Sequence, residues 1–311
     1  MTVGADLRDE TRAFNEQLRE LLGTFPRVES VPPEITRRSR YDGKGIFPAP
    51  VFVEEARWID VPSRGGGLRA RVIPPEGAAT GVYLHIHGGG WTIGAADLHD
   101  VQLAELARAT GLVVASLEYR LAPEHPYPAA PDDCEDAALW LLERGAAELG
   151  APAAVSIGGE SAGAHLAAVT ILRLRDRHGA PDAFRAANLV YGAFDLSGTP
   201  SRRLLADALV LTDAGMTWFT DNFLPDHDAE QRRDPDVSPL YADLRGLPPA
   251  LFTVGTADPL LDDSLFMAAR WEAAGNEADL RVYADGVHGF NAFPLGIALA
   301  ANAAQAEFLK P

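Results

Sequence analysis

Three short segments hold residue types that would make an activated nucleophile if the fold brought them together. In VSIGGESAGAHLAAV (155–169) an apolar run leads into Gly159-Glu160-Ser161-Ala162-Gly163 and then into a helical pattern. Gly-x-Ser-x-Gly between strand and helix allows a sharp turn that pushes the serine hydroxyl out above a helix N-terminus. A serine hydroxyl is a weak nucleophile, so it needs a base, an orienting carboxylate and oxyanion donors, in the chain order Ser, Asp or Glu, His. Asp285-Gly286-Val287-His288-Gly289-Phe290 follows the last predicted strand and offers His288 as the base. Thr256-Ala257-Asp258-Pro259-Leu260-Leu261-Asp262 follows another strand. Asp258 there would hold the imidazole in the right tautomer and stabilise its charged form. Both residues fall at strand C-terminal ends, where ligands sit in open α/β sheets. Asp262 and Asp263 come where a helix starts and are assigned to favouring its N-terminus.

For the oxyanion, His85-Ile86-His87-Gly88-Gly89-Gly90-Trp91 follows a third strand, and three glycines leave backbone N–H groups free to point at a ligand. A donor pair from this loop with the N–H of Ala162 would form the hole described for lipases and esterases. Losing one such donor costs about 3 kcal/mol of barrier. The other glycine triplet, Gly65 to Gly67, reads as a flexible turn, and His85 as a structural histidine. The competing reading is structural: Gly159 and Gly163 let a helix pack on a strand, and Ser161 caps that helix. It requires four separate elements to coincide by accident.

Those segments need elements to position them. From residue 83 onward YLHIHGG (83–89), VVASLEY (113–119), VSIGGES (155–161), ANLVYGAF (187–194), ALFTVGTAD (250–258) and LRVYADG (280–286) are short and rich in β-branched or aromatic residues. Helical patterns over 99–110, 132–149, 162–177, 262–275 and 295–309 separate most of them. The alternation predicts an α/β fold with a mainly parallel sheet covered on both faces. Extended runs around 52–60 and 68–73, with SRGGG (63–67) between them, predict an antiparallel hairpin entry. Segment 196–247 breaks the pattern with three apolar-periodic pieces and no strand; it is too long for a structureless loop and is expected to be helical and to cover something. Residues 5–22, with Leu7, Phe14, Leu18, Leu21 and Leu22 at helical spacing, predict an amphipathic helix packed on the body and stopped by Pro26, Pro32 and Pro33. Arg37, Arg38 and Arg40 read as a solvated cluster.

Composition narrows the partners. The 311 residues are 47% hydrophobic and 23% charged, enough for a large core. With 27 Lys and Arg against 44 Asp and Glu, the net charge of −17 disfavours nucleic acid and acidic lipid. The one cysteine, Cys134, permits neither an intrachain disulfide nor a Cys-based zinc cluster, and reads as a buried bystander. The N-terminal MTVGADLRDE has no basic and apolar leader pattern, and no stretch of about 18 apolar residues follows, so a cytoplasmic protein without membrane association is expected. Asp132 and Asp133 are expected to open a helix rather than bind metal, and no Gly-x-Gly-x-x-Gly or Gly-Lys-Ser/Thr loop points to a nucleotide. No metal or organic cofactor is expected.

HGGGW (87–91), EYRLAPEHPYPAA (118–130), GESAGAHLAA (159–168), SPLY (238–241), DPLLDD (258–263) and HGF (288–290) together resemble the hormone-sensitive lipase-like esterases, bacterial family IV of the α/β-hydrolase superfamily. The resemblance covers most of residues 80–292 in the right order. It implies Ser161 as nucleophile, Asp258 as carboxylate and His288 as base, with oxyanion donors from Gly89, Gly90 and Ala162 in a loop that includes His87 and Gly88. It further implies one catalytic domain spanning 1–311, with a helical cap from about 1–50 and about 196–235, and it leaves room for a homodimer. The chain departs from the commoner Gly-Asp-Ser-Ala-Gly-Gly form at Glu160 and Ala164.

The expected reaction is hydrolysis of a small carboxylic ester by water through an acyl-enzyme, with short-chain acyl groups preferred because the cap is modest. Trp91, Phe14, Trp218, Phe219 and Phe223 are the aromatic candidates for a pocket under that cap, or else for its core. A deacetylase or amidase would share the same three residues and differ in its pocket. A non-catalytic binding homologue would typically have lost one of them.

Overall fold

The computed structural model describes residues 5–310. A period of two turns the apolar runs into a sheet with two dry faces. In β3 (Gly81–Ile86) and β4 (Leu112–Glu118), Val82, Leu84, Ile86, Val113, Ala115 and Leu117 join one large buried cluster, while Tyr83, Leu112 and Val114 join another. Successive side chains of a strand point to opposite faces, so these strands are buried on both sides, as parallel strands under helices must be. The entry hairpin is β1 (Arg57–Asp60) paired antiparallel with β2 (Arg69–Ile73), which in turn runs antiparallel to β4. β5 (Val155–Glu160), β6 (Ala187–Val190), β7 (Ala250–Gly255) and β8 (Ala278–Tyr283) continue the sheet in parallel. Among the described residues the sheet has eight strands in the order β1-β2-β4-β3-β5-β6-β7-β8.

Helices cover both faces. In chain order they are α1 (Ala5–Leu22), α2 (Pro33–Tyr41), α3 (Asp100–Thr110), α4 (Ala129–Trp140), α5 (Ala146–Glu148), α6 (Ala162–His178), α7 (Pro200–Leu204), α8 (Asp213–Phe223), α9 (Leu261–Ala273) and α10 (Gly296–Leu309). Every residue of α6 from Ala162 to Leu174 is buried, so the helix that starts beside Ser161 is fixed along most of its length. Away from the sheet's carboxyl edge, two expected elements differ from their patterns. The run 52–60 is a strand only over Arg57–Asp60. The helix expected over 132–149 gives way to a π turn at Leu141–Gly145, where a side chain on Gly145 would meet the Trp140 ring.

Several charged residues do more than sequence patterning assigns them. Asp133 lies within α4 and takes the Arg120 backbone N–H at 2.9 Å and its guanidinium at 2.8 Å. Asp263 is buried in the first turn of α9, but its carboxylate accepts the N–H groups of Phe194 and Asp195 and the hydroxyl of Thr199, tying the start of the 196–235 segment to α9. Asp262 likewise accepts the N–H of Ser201. Arg37 is not simply solvated: its guanidinium donates to the carbonyls of Thr92 and Ala122 and forks onto Glu124. α1 packs against α10, and Arg8, Arg12 and Asn15 on it all reach Asp285, three residues before His288.

Candidate active site

The turn after β5 is forced by close backbone approach. A Cβ on Gly159 would lie 1.9 Å from the Ile86 carbonyl oxygen, and one on Gly163 would lie 1.8 Å from the same atom. Only glycine fits at either place, and between them Ser161 adopts φ 57° and ψ −119°. A non-glycine residue held there costs on the order of 1–3 kcal/mol, which the surrounding structure must offset. It does so with backbone bonds: Ser161 N–H donates to Val190, and the Ser161 carbonyl accepts the N–H of His165. The hydroxyl is thereby aimed away from the sheet at the N-terminus of α6.

Three side chains form one hydrogen-bonded line. His288 Nε2 lies 3.0 Å from Ser161 Oγ, and His288 Nδ1 lies 2.9 Å from Asp258 Oδ2. Asp258 is fully buried and its second oxygen accepts the Leu260 N–H, so the carboxylate cannot swing away. With the carboxylate as acceptor at Nδ1, the imidazole carries its proton there and presents a lone pair at Nε2 to the serine hydroxyl. Tyr191 stacks edge-on against the His288 ring at 4.7 Å, and its hydroxyl donates to Asn291 in the loop beyond His288. Tyr191 was not singled out by its sequence; its place just past the carboxyl end of β6 was the available signal.

The glycine loop lies beside Ser161. A Cβ on Gly88 would sit 2.8 Å from the Glu160 carbonyl, and one on Gly89 would sit 2.1 Å from the carbonyl of Ile93. Among the described residues no acceptor takes the N–H of Gly89 or of Gly90, while the Gly89 carbonyl accepts from Thr92 and Ile93. His87 stacks on Tyr119, whose hydroxyl donates back to the His87 carbonyl. Burial drives the His87 pKa down to about 3, so the ring is neutral and donates from Nδ1 to Gly88. Trp91, held at φ 57°, donates its indole N–H to His165 Nδ1, and His165 Nε2 donates to the Val237 carbonyl. Burial lowers the His165 pKa to about 4, which keeps it the acceptor that this relay needs.

A cavity of ≈ 830 Å³ opens over Ser161 and His288, walled by the glycine loop, the end of α1, α2 and the 207–220 stretch. Of the five aromatic candidates, Trp91 and Phe219 line it. The other three are corrections. Phe14 packs on Phe293 at 5.1 Å under α1, because its face of the helix is the one that docks on the body. Phe223 is fully buried against Trp91, and Trp218 packs edge-on against Phe219 from behind. Arg37, Arg40 and Glu160 line the cavity without having been proposed as pocket residues. Among the described residues no group of three or more His, Cys, Asp or Glu is placed to hold a metal ion, and no helix is long and apolar enough to cross a membrane.

A family profile described as the alpha/beta hydrolase fold matches residues 83–292. Carboxylic ester hydrolase LipN of Mycobacterium tuberculosis is 38% identical over 258 residues, 80% of this chain and 68% of its own. Carboxylesterase NlhH of the same organism is 38% identical over 228 residues, 71% of this chain and 70% of its own. Among solved structures, a hyperthermophilic esterase from the archaeon Pyrobaculum calidifontis superposes with a TM-score of 0.84 at 30% identity, over 100% of this chain and 98% of that one. An ester-hydrolase from the Lake Arreo metagenome, complexed with a bipyridine phosphonate derivative, gives 0.85 at 31% identity over 99% and 98%. With its eight-stranded sheet, its serine on the turn after β5 and these matches, the chain belongs to the α/β-hydrolase fold, in the hormone-sensitive lipase-like family.

Proposed function

We propose that this carboxylic ester hydrolase works through an acyl-enzyme on Ser161, with His288 as base and Asp258 as its orienting carboxylate. The observation that carries the reading is the unbroken line from Ser161 Oγ through both nitrogens of His288 to Asp258, at 3.0 and 2.9 Å. As Ser161 Oγ bonds to the ester carbonyl carbon, its proton passes to His288 Nε2, and Asp258 stabilises the imidazolium. The N–H groups of Gly89, Gly90 and Ala162 receive the negative charge that develops on the carbonyl oxygen. Collapse of the tetrahedral intermediate breaks the bond to the alcohol, which leaves with the proton from His288. Water, deprotonated by the same imidazole, then releases the acid and restores the serine.

Residues 1–50 and 196–235 act as the cap of a single catalytic domain; Met1 to Gly4 lie outside the described residues. Short-chain acyl esters are the preferred class. The Phe219 ring sits so close to Gly90 that a Cβ there would be 2.3 Å from it, which closes the space beside the oxyanion amides. The remaining volume is left to the alcohol portion.

The test is a series of p-nitrophenyl esters from acetate to palmitate, with the matching anilides, assayed on wild type and Ser161→Ala. Turnover is expected to peak at short acyl chains, with anilides far slower. Ser161→Ala is expected to lose about 10⁴-fold or more in kcat, as when a triad nucleophile is removed. A rate undiminished in Ser161→Ala would remove the mechanism, and a peak at long chains would remove the short-chain reading.

A further inference from the structure

Glu160, the residue between Gly159 and the nucleophile, is not used by the reaction as described. Its side chain leaves the end of β5 and lines the cavity, where about a fifth of it is exposed (21%). One carboxylate oxygen, Oε2, lies 2.9 Å from Nε2 of the fully buried His85, whose Nδ1 is 2.8 Å from Ser116 Oγ. The other oxygen, Oε1, has no hydrogen-bond partner among the described residues. A carboxylate has acceptor sites on both oxygens, so half of this group's capacity is turned toward the cavity.

The charge on this group is supported from behind. Burial would raise the Glu160 carboxyl, but the imidazoles of His85, His99 and His87 outweigh it and hold the group below its ordinary range. His87 and His99 have their own pKa values lowered by burial, and the imidazole in direct contact with the carboxylate is that of His85. Of the six cations on the cavity wall, four are engaged elsewhere: Arg37 with Glu124, Lys44 with Asp42, Arg202 with Asp213, and Arg40 over the Phe47 ring with one nitrogen on the Pro48 carbonyl; Arg19 and Arg27 also line the cavity, and neither pairs with Glu160. A carboxylate oxygen one residue from the nucleophile thus opens on a cavity whose lining also includes the apolar Leu211, Met216 and Phe219.

We propose that Glu160 Oε1 is a specificity-determining subsite that selects esters carrying a cationic hydrogen-bond donor, a protonated amine, within a few bonds of the scissile group. An ester with a carboxylate at the same place is disfavoured by like charge in a poorly solvated site. The proposal rests on the ester-hydrolase reading above and assigns a substrate class to that same site.

The test is a matched pair of neutral-core esters, 2-(dimethylamino)ethyl acetate, protonated at pH 7, and its uncharged isostere 3-methylbutyl acetate. The quantity read is the ratio of their kcat/KM values, compared between variants so that the intrinsic reactivity difference cancels. Glu160→Gln is expected to lower that ratio about tenfold or more, the size of a charge-assisted hydrogen bond, and Glu160→Asp to give an intermediate value. A ratio unmoved in both variants overturns the proposal. An equal loss on both esters does the same and leaves Glu160 a support for His85. The same pair is titrated by NMR into Ser161→Ala with and without Glu160→Gln, which reads the preference without turnover. If neither ester is hydrolysed but binding still discriminates through Glu160, the hydrolase reading fails and the subsite stands. If both are hydrolysed with an unmoved ratio, only the subsite fails.

Discussion

Around Ser161, position is set by backbone against backbone; in the segments lying over it, position is set by side chains. Gly159 and Gly163 pass so close to the Ile86 carbonyl that a methyl group would overlap it, and Gly89 does the same against Ile93. Above them, Arg37 is forked onto Glu124, Asp285 receives Arg8 and Arg12, and Asp263 collects two amides and a hydroxyl. Backbone contact leaves no slack of even one methyl group, and it is found where reacting atoms must be held to fractions of an ångström. Side-chain latches between half-exposed groups are individually weak: Arg8 and Arg12 are each about half exposed, a setting in which an ion pair is worth about 0–1 kcal/mol. The lower layer is thus suited to rate, and the upper to selectivity and to stability.

The largest effect that would break this contrast belongs to the lower layer. Asp258→Asn keeps the shape of the group but removes the charge that fixes the proton on His288 Nδ1. The expected outcome is a loss of about 10³–10⁴-fold in kcat with KM little changed, read by steady-state kinetics. A normal rate would reassign the carboxylate.

A smaller effect sharpens the upper layer. Burial pushes the Asp263 carboxyl up to about 7, against its hydrogen bonds to Thr199, Asp195 and Phe194. An unfolded aspartate has a pKa of about 4, so between about pH 4 and pH 7 the unfolded chain sheds a proton that the folded chain keeps. The folded state binds more protons in that window, so this group costs stability as pH rises through it and adds nothing further above. Asp263→Asn has no such titration, and its carbonyl can still accept both amides. Relative to wild type the variant is expected to gain stability from pH 4 to pH 8, measured as the difference of urea-unfolding free energies. A difference independent of pH would show that Asp263 is ionised throughout, and the catalytic rate on small esters is expected to change by only a few-fold.

The contrast also explains what the sequence made legible. Strand and helix order follows from period two and period 3.6, and the structure has that order. The apolar runs overshoot the strands at their carboxyl ends: 83–89 against Gly81–Ile86, 250–258 against Ala250–Gly255, 280–286 against Ala278–Tyr283. Ladder pairing stops there, and the surplus residues become the loops that bear the glycines, Asp258 and the approach to His288. Chemistry carried by backbone leaves its mark as glycines at fixed offsets, which is why the lower layer could be read. The cover could not be read in the same way. Phe14, Trp218 and Phe223 are apolar residues whose facing depends on helix rotation, and Arg37 looks like any exposed arginine until Glu124 and two carbonyls are brought to it. Tyr191 and Glu160 gained their significance only when the ends of β5 and β6 were set beside the glycine loop.

The central claim is that Ser161 is the one hydroxyl activated to form a bond to substrate. An activated phosphonate, p-nitrophenyl ethyl methylphosphonate, reads this directly, since attack at phosphorus expels p-nitrophenolate and leaves a stable adduct. Intact mass and peptide mapping are expected to show one adduct per chain, on Ser161, forming in step with loss of ester hydrolysis and slowed by at least about 10³-fold in His288→Ala. An adduct on another residue, or inactivation that leaves Ser161 unmodified, would contradict the account.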